Sequence, residues 1–296
     1  MIISPTVSYL KNSGGSSRRT DHKYDGIWTW PKIMSTYPPR KELPPLGALC
    51  LDYTDDIHRP PGDPLNELSY QFPVIHEMVK DATVWNVVKK DEYSDETLQN
   101  YIDACNRLQQ RGAVGVITSC GFLAQVQNRL AAAVEIPVAT SSLIQVPFVS
   151  MVIGPSKLIG VLTFDAEVLG KAHFKGLGIS EELQSRIVVK GCPVGGVLRG
   201  MIIEGDPYVH DDLENEMVGI AKELVGENPS IGAIVLECTQ MPPFARAVQK
   251  ATGLPVYDAI TMIDWFYSGL VSRIIPEDGR KQDGLRRRRR SAKELK

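Results

Sequence analysis

An α/β fold of two similar doubly wound parallel-sheet lobes, related by internal pseudo-symmetry and facing each other across a cleft, is what this 296-residue sequence predicts. Two observations carry the prediction. Short, continuous apolar runs alternate with helical stretches, as in parallel strands buried on both faces. The pattern also occurs twice. Gly115-Val116-Ile117-Thr118-Ser119-Cys120, with Pro137-Val138 starting seventeen residues past the cysteine, matches Ala233-Ile234-Val235-Leu236-Glu237-Cys238, with Pro255-Val256 starting seventeen past its own. The offset is 118 throughout, without a gap.

Residues 1–43 are Ser-, Gly- and Pro-rich and read as a flexible arm whose aromatics, Tyr24, Trp28, Trp30 and Tyr37, pack on the body or on a neighbouring subunit. The first twenty are basic and free of acid but lack the amphipathic helix of a transit peptide. The first lobe spans 44–150. Its first strand is expected at 46–51, closed by Asp52, followed by the turn-forming Arg59-Pro60-Pro61-Gly62-Asp63-Pro64. A helix follows over 95–111. Ser94 is its N-cap, Leu98, Tyr101, Ile102, Cys105 and Leu108 form its apolar face, and Gly112 stops it. A strand at 113–117, a helix over 123–133 and a strand at 137–139 complete the lobe. The second lobe, 151–275, opens with a strand over 158–165 that mirrors 46–52 at an offset of 113. A strand at 233–238 and a helix over 244–251 follow. The uncharged run 136–156 contains three prolines, which suits a strand, a loop and a helix start rather than a membrane span.

Composition is that of a soluble globular chain, 43% hydrophobic and 23% charged. The tail from 280 to 296 holds nine Lys and Arg against two acids, a local +7, so the rest carries −9. An acidic body argues against nucleic acid as the main partner. The arginines 286–290 read as part of a disordered basic tail, 276–296, with nuclear import as the alternative. Five sparse cysteines, none in a CxxC, point to reduced thiols in the cytoplasm and give no zinc or thioredoxin site. His173 and His210 lack metal-ligand spacing, and Gly191-Cys192-Pro193-Val194-Gly195-Gly196 lacks a dinucleotide-site context, so no metal and no cofactor are expected.

Each repeat places a cysteine, Cys120 or Cys238, where a parallel strand ends and a helix begins. In open α/β sheets that edge is where ligands bind. Helix N-termini there favour carboxylates and thiolates. Two thiols on opposite walls suit removal of a proton from one face of a carbon beside a carboxylate and its return to the other. At these residues the sequence resembles the aspartate/glutamate racemase superfamily of cofactor-independent two-cysteine enzymes, over about residues 45–272. The most specific pieces are Thr118-Ser119-Cys120-Gly121-Phe122 and Leu236-Glu237-Cys238-Thr239-Gln240-Met241-Pro242-Pro243.

The resemblance implies a racemase or epimerase acting at the α-carbon of a small carboxylate, with Cys120 and Cys238 as the two acid/base residues. It implies substrate contacts from Asp52, Gly121, Phe122, Thr239 and Gln240; Thr140 and Ser141, after a strand end, join them, with capping of the next helix as their plainer role. A homodimer is common among such proteins. Glutamate racemases carry Asn-Thr after the first cysteine and Thr-His after the second, where this chain has Gly121-Phe122 and Thr239-Gln240. A substrate more apolar or larger than glutamate follows. Arylmalonate decarboxylases keep only the second cysteine, so Cys120 argues against that branch. The alternatives are a maleate-type cis–trans isomerase with a nucleophilic thiolate and a non-catalytic bilobal binding protein.

Overall fold

Two four-stranded parallel sheets frame the molecule, seen in a computed structural model that describes residues 36–52 and 57–275. Most of the N-terminal arm and the basic tail, for which the sequence predicted flexibility, lie outside the described residues. The first sheet joins β1 (Leu46–Cys50), β2 (Val74–Met78), β3 (Val116–Thr118) and β4 (Val138–Ala139) in the order β2-β1-β3-β4. The second joins β5 (Leu158–Thr163), β6 (Ile187–Gly191), β7 (Ile231–Leu236) and β8 (Val256–Tyr257) in the order β6-β5-β7-β8. The helices are α1 (Val84–Val87), α2 (Asp95–Gln110), α3 (Gln127–Ala133), α4 (Val146–Val152) and α5 (Lys171–Gly176). They continue as α6 (Glu181–Gln184), α7 (Val197–Arg199), α8 (His210–Glu227), α9 (Ala245–Thr252) and α10 (Ala259–Leu270). The predicted two-lobe α/β architecture is present, and the lobes share one strand order.

The repeat is visible in the packing. Within β1, Gly47 lies against Leu108 of α2, where an added Cβ would approach Cδ1 to 2.9 Å. Gly160 of β5, 113 positions on, lies in the same way against Leu224 of α8, at 2.8 Å. A side chain at either place would hold the helix off its sheet. α2 forms as the sequence predicts. Ser94 Oγ accepts from the Thr97 N–H at 3.1 Å, Tyr101, Ala104, Cys105 and Leu108 are buried, and Gly112 ends the helix at φ +89°. The predicted helix at 123–133 instead opens with a 3₁₀ segment, Gly121–Val126, before α3. That tight start is fully buried and carries the backbone down from the end of β3.

The last helix of each repeat serves the other repeat. α10 lays Met262, Ile263 and Tyr267 on the first sheet, beside Leu46, Ala48, Ile117 and Ala139. Tyr267 stacks on Phe72 and donates its hydroxyl to the Pro44 carbonyl at 2.8 Å. α4 correspondingly packs on β5. The exchange ties both sheets into one unit, Ser35–Ile275, and holds the carboxyl ends of β3 and β7 face to face. Among the described residues no helix is long and apolar enough to cross a membrane.

Candidate active site

β3 and β7 are central strands, and their apolar sequences stop abruptly at polar residues. Beyond β3 come Ser119, Cys120, Gly121 and Phe122; beyond β7 come Glu237, Cys238, Thr239 and Gln240. These eight residues meet, and with Val84 and Val88 at α1, Phe164 after β5 and Ile202 they line one small pocket. Two contacts join the strand ends. Thr239 Oγ1 donates to the Ser119 carbonyl at 2.7 Å. Gly121 abuts Glu237 so closely that a Cβ there would overlap both its carbonyl oxygen and its Oε1. Nearby, Ser142 Oγ donates to the Leu236 carbonyl at 2.7 Å, another tie between the repeats.

Both thiols are almost wholly buried, 6% exposed at Cys120 and 9% at Cys238. Each sulfur accepts from the backbone N–H two residues ahead, that of Phe122 or of Gln240. Burial pushes the Cys120 thiol up to about 12, and the neighbouring Glu237 charge adds to the rise; the Phe122 N–H and the Arg59 guanidinium pull it back. Burial and Glu237 also drive Cys238 well above the ordinary thiol range. Glu237 is itself fully buried, which raises its carboxyl to about 7. Thr163 Oγ1 donates to its Oε2 at 2.7 Å. Both shifts favour thiol over thiolate, and a positive charge beside the sulfurs would oppose them.

A loop from the first lobe closes on the second. Asp63 is completely buried, accepts from the Leu65 N–H at 2.7 Å and from Gln240 Nε2, and pairs with Arg59 at 2.9 Å. Gly62, at φ +105°, lets the chain turn against Pro243. The predicted turn is thus also a brace for Gln240.

No protein-family model matches the sequence. A dimethylsulfoniopropionate lyase from Durusdinium sp. clade D is 36% identical over 234 residues, 76% of this chain and 75% of the relative. The chain belongs to the dimethylsulfoniopropionate lyase family. Dimethylsulfoniopropionate lyase 7 of Emiliania huxleyi (strain CCMP1516) is 33% identical over 238 residues, 78% of this chain and 68% of the relative. Among solved structures, a point mutant of arylmalonate decarboxylase in its sulfate-associated form superposes with a TM-score of 0.51 at 16% identity, covering 77% of this chain and 93% of the other. The fold is that of the aspartate/glutamate racemase superfamily, which the cysteine motifs resemble.

Membership in a lyase family corrects the expected activity. The racemase or epimerase reading, and with it the isomerase class, is overturned by relatives that are lyases. The physical reason is that a racemase and an eliminating lyase share their first step, removal of a proton beside a carboxylate. Two cysteines at strand ends are compatible with either outcome, so the motifs did not separate the two classes. A small-molecule substrate is retained.

Of the predicted site residues, Cys120, Gly121, Phe122, Cys238, Thr239 and Gln240 share the pocket. Asp52, Thr140 and Ser141 are not among its lining residues. Asp52 is exposed just beyond β1. Thr140 is buried, its hydroxyl donating to Gln127 Oε1 at 3.0 Å, and Ser141 Oγ accepts from the Leu143 N–H at the start of a 3₁₀ turn. Asp165, at the position matching Asp52, pairs with Arg199 at 2.8 Å. Sequence reasoning gave no role to Val84, Val88, Phe164, Ile202 or Glu237. Only Glu237 carried a signal, as a carboxylate ending an otherwise apolar strand.

Proposed function

We propose that the chain is a lyase that cleaves dimethylsulfoniopropionate by β-elimination in this pocket. The observation that carries the reading is two buried thiols meeting at one pocket in a chain 36% identical to such a lyase. The substrate is a carboxylate whose β-carbon bears a dimethylsulfonium group. A cysteine thiolate takes a proton from the α-carbon, and the C–H electron pair becomes the carbon–carbon double bond. The carbon–sulfur bond breaks, its pair leaves on sulfur as dimethyl sulfide, and acrylate remains. The proton, now on the thiol, passes to solvent.

The electrostatics favour this substrate. Both thiols are raised by burial and by the negative Glu237. A sulfonium cation entering the pocket opposes both effects, so it lowers the cost of forming the thiolate that attacks its own α-proton. Phe122, Phe164, Val84, Val88 and Ile202 supply a wall that excludes water, which strengthens each charge interaction inside. Dimethyl sulfide leaves as a neutral molecule and requires no acid.

The test is headspace gas chromatography of dimethyl sulfide, with acrylate followed by proton NMR, for the wild type, Cys120→Ser, Cys238→Ser and the double variant. Release by the wild type and a loss of about 10² to 10⁴ in the double variant, with unchanged circular dichroism, are expected. A wild-type protein that releases none, or a double variant as fast as wild type, sinks the reading.

A further inference from the structure

Glu237 is the one carboxylate among the described residues lining the pocket, and its two oxygens differ. Oε2 accepts from Thr163 Oγ1, and the Phe164 N–H also donates to this carboxylate. Oε1 is buried and has no hydrogen-bond partner among the described residues. It lies against Gly121, where the missing side chain is what leaves it room. Among the described residues no Lys, Arg or His pairs with Glu237. A carboxylate oxygen so placed costs free energy unless it takes up a proton or meets a cation or a donor.

The remaining walls define that cation. Phe122, Phe164, Val84, Val88 and Ile202 offer methyl and ring surface, one face of Phe164 already carrying the Arg199 guanidinium 5.0 Å from its centroid. A primary ammonium needs several acceptors for its N–H groups. A methylated onium needs none, presenting a diffuse charge on an apolar surface that such walls can enclose.

We infer that Glu237, through Oε1, is the counter-charge for the onium end of the substrate, and that the site selects small carboxylates carrying a methylated onium group on the β-carbon. For its natural substrate this rests on the lyase reading; its test does not. The pairing also cancels the Glu237 charge that holds the thiols protonated, so the residue that recognises the cation is tied to release of the base.

Isothermal titration of the full chain with two probes that lack the sulfonium sulfur decides the matter, proton NMR confirming that neither yields acrylate during the titration. One is 3-(trimethylammonio)propionate, a carboxylate with a methylated cation at the β-carbon; the other is 4-methylpentanoate, in which an uncharged carbon replaces the sulfonium sulfur. The wild type is expected to bind the cationic probe at least about tenfold more tightly, and Glu237→Gln to bring the two within about threefold. Equal binding by the wild type, no binding of the cationic probe at 10 mM, or an undiminished preference in a folded Glu237→Gln overturns the inference. The wild-type comparison stands by itself if that variant does not fold. Cation preference lost in Glu237→Gln, in a protein that releases no dimethyl sulfide, removes the lyase reading and keeps this one. Release of dimethyl sulfide without any cation preference does the reverse.

Discussion

Replacing Gly121 by Ala tests whether the meeting of the two strand ends is as tight as the structure shows. The new Cβ would overlap the Glu237 carbonyl oxygen and Oε1 and lie 2.8 Å from Cδ. Neither neighbour can give way cheaply. The Glu237 N–H donates to the Leu162 carbonyl at 2.7 Å, and its carboxylate is held by Thr163 Oγ1 and the Phe164 N–H. Overpacking of this kind costs about 1–3 kcal/mol. Restricting the unfolded chain returns about 0.4–1 kcal/mol. With backbone as well as side chain in the way, the upper part of the range applies, and a net loss of about 2 kcal/mol is expected. Urea unfolding followed by circular dichroism reads this as a lower midpoint at unchanged slope. Gly219→Ala is the control. It sits within α8 with nothing within 4 Å of the added Cβ, so it should gain up to about 1 kcal/mol. Adding Glu237→Ala to Gly121→Ala should recover part of the loss, since the carboxylate clash goes and the carbonyl clash stays. Dimethyl sulfide release should fall in Gly121→Ala because Cys120 and Glu237 both shift. A Gly121→Ala protein with wild-type midpoint and turnover would refute the packing argument.

Stability should respond to pH through two opposed buried groups. Burial raises Glu237 from 4.5 to about 7, so its contribution is present below 4.5 and lost as pH rises through about 7. Burial lowers His173 from 6.5 to about 4, so its contribution is present above 6.5 and lost as pH falls through about 4. Each is worth about 3 kcal/mol, and between pH 4.5 and 6.5 they oppose each other; relative to the wild type, urea midpoints should rise with pH in Glu237→Gln and fall with pH in His173→Gln. Profiles parallel to the wild type in both variants would contradict the assigned shifts. The two cysteines should also be unequal: elimination needs one base and no acid, so single Ser variants should differ at least about tenfold in dimethyl sulfide release, and equal losses would point back to a two-base device.

What the sequence disclosed followed physical contrast. β1, β3, β5 and β7 are continuous apolar runs, buried almost throughout, and all four were readable. The edge strands β2 and β6 were not. Val74-Ile75-His76-Glu77-Met78 mixes polar with apolar residues because one side of that strand is exposed, and β6 is half-buried along its length. Cysteine at both strand ends was legible because the 118-residue repeat aligned them. Val84, Val88, Phe164 and Ile202 were not, since an apolar residue that faces a pocket looks the same in sequence as one that faces the core. The reaction class failed for the same reason. The motifs hold two cysteines that suit a proton transfer common to both reaction classes, and Val84, Val88, Phe164 and Ile202 lie outside them.

The half-sites also differ in a way that the repeat concealed. Aligned at 118, Ser119-Cys120-Gly121-Phe122 stands opposite Glu237-Cys238-Thr239-Gln240. Only the cysteines are the same. Where the second half-site has a buried carboxylate, the first has Ser119, whose hydroxyl is occupied in accepting the Leu51 N–H at 3.1 Å. Where the second has Thr239 to tie the strand ends together, the first has Gly121, which leaves space for Glu237. The substitutions fit one another: a glycine on one side is the condition for a glutamate on the other. Together they turn a symmetric pair of thiols into a polarised site, negative at one wall. A polarised site suits a substrate with a cation at one end and a reaction that runs one way, in which a proton is removed and a neutral sulfide departs.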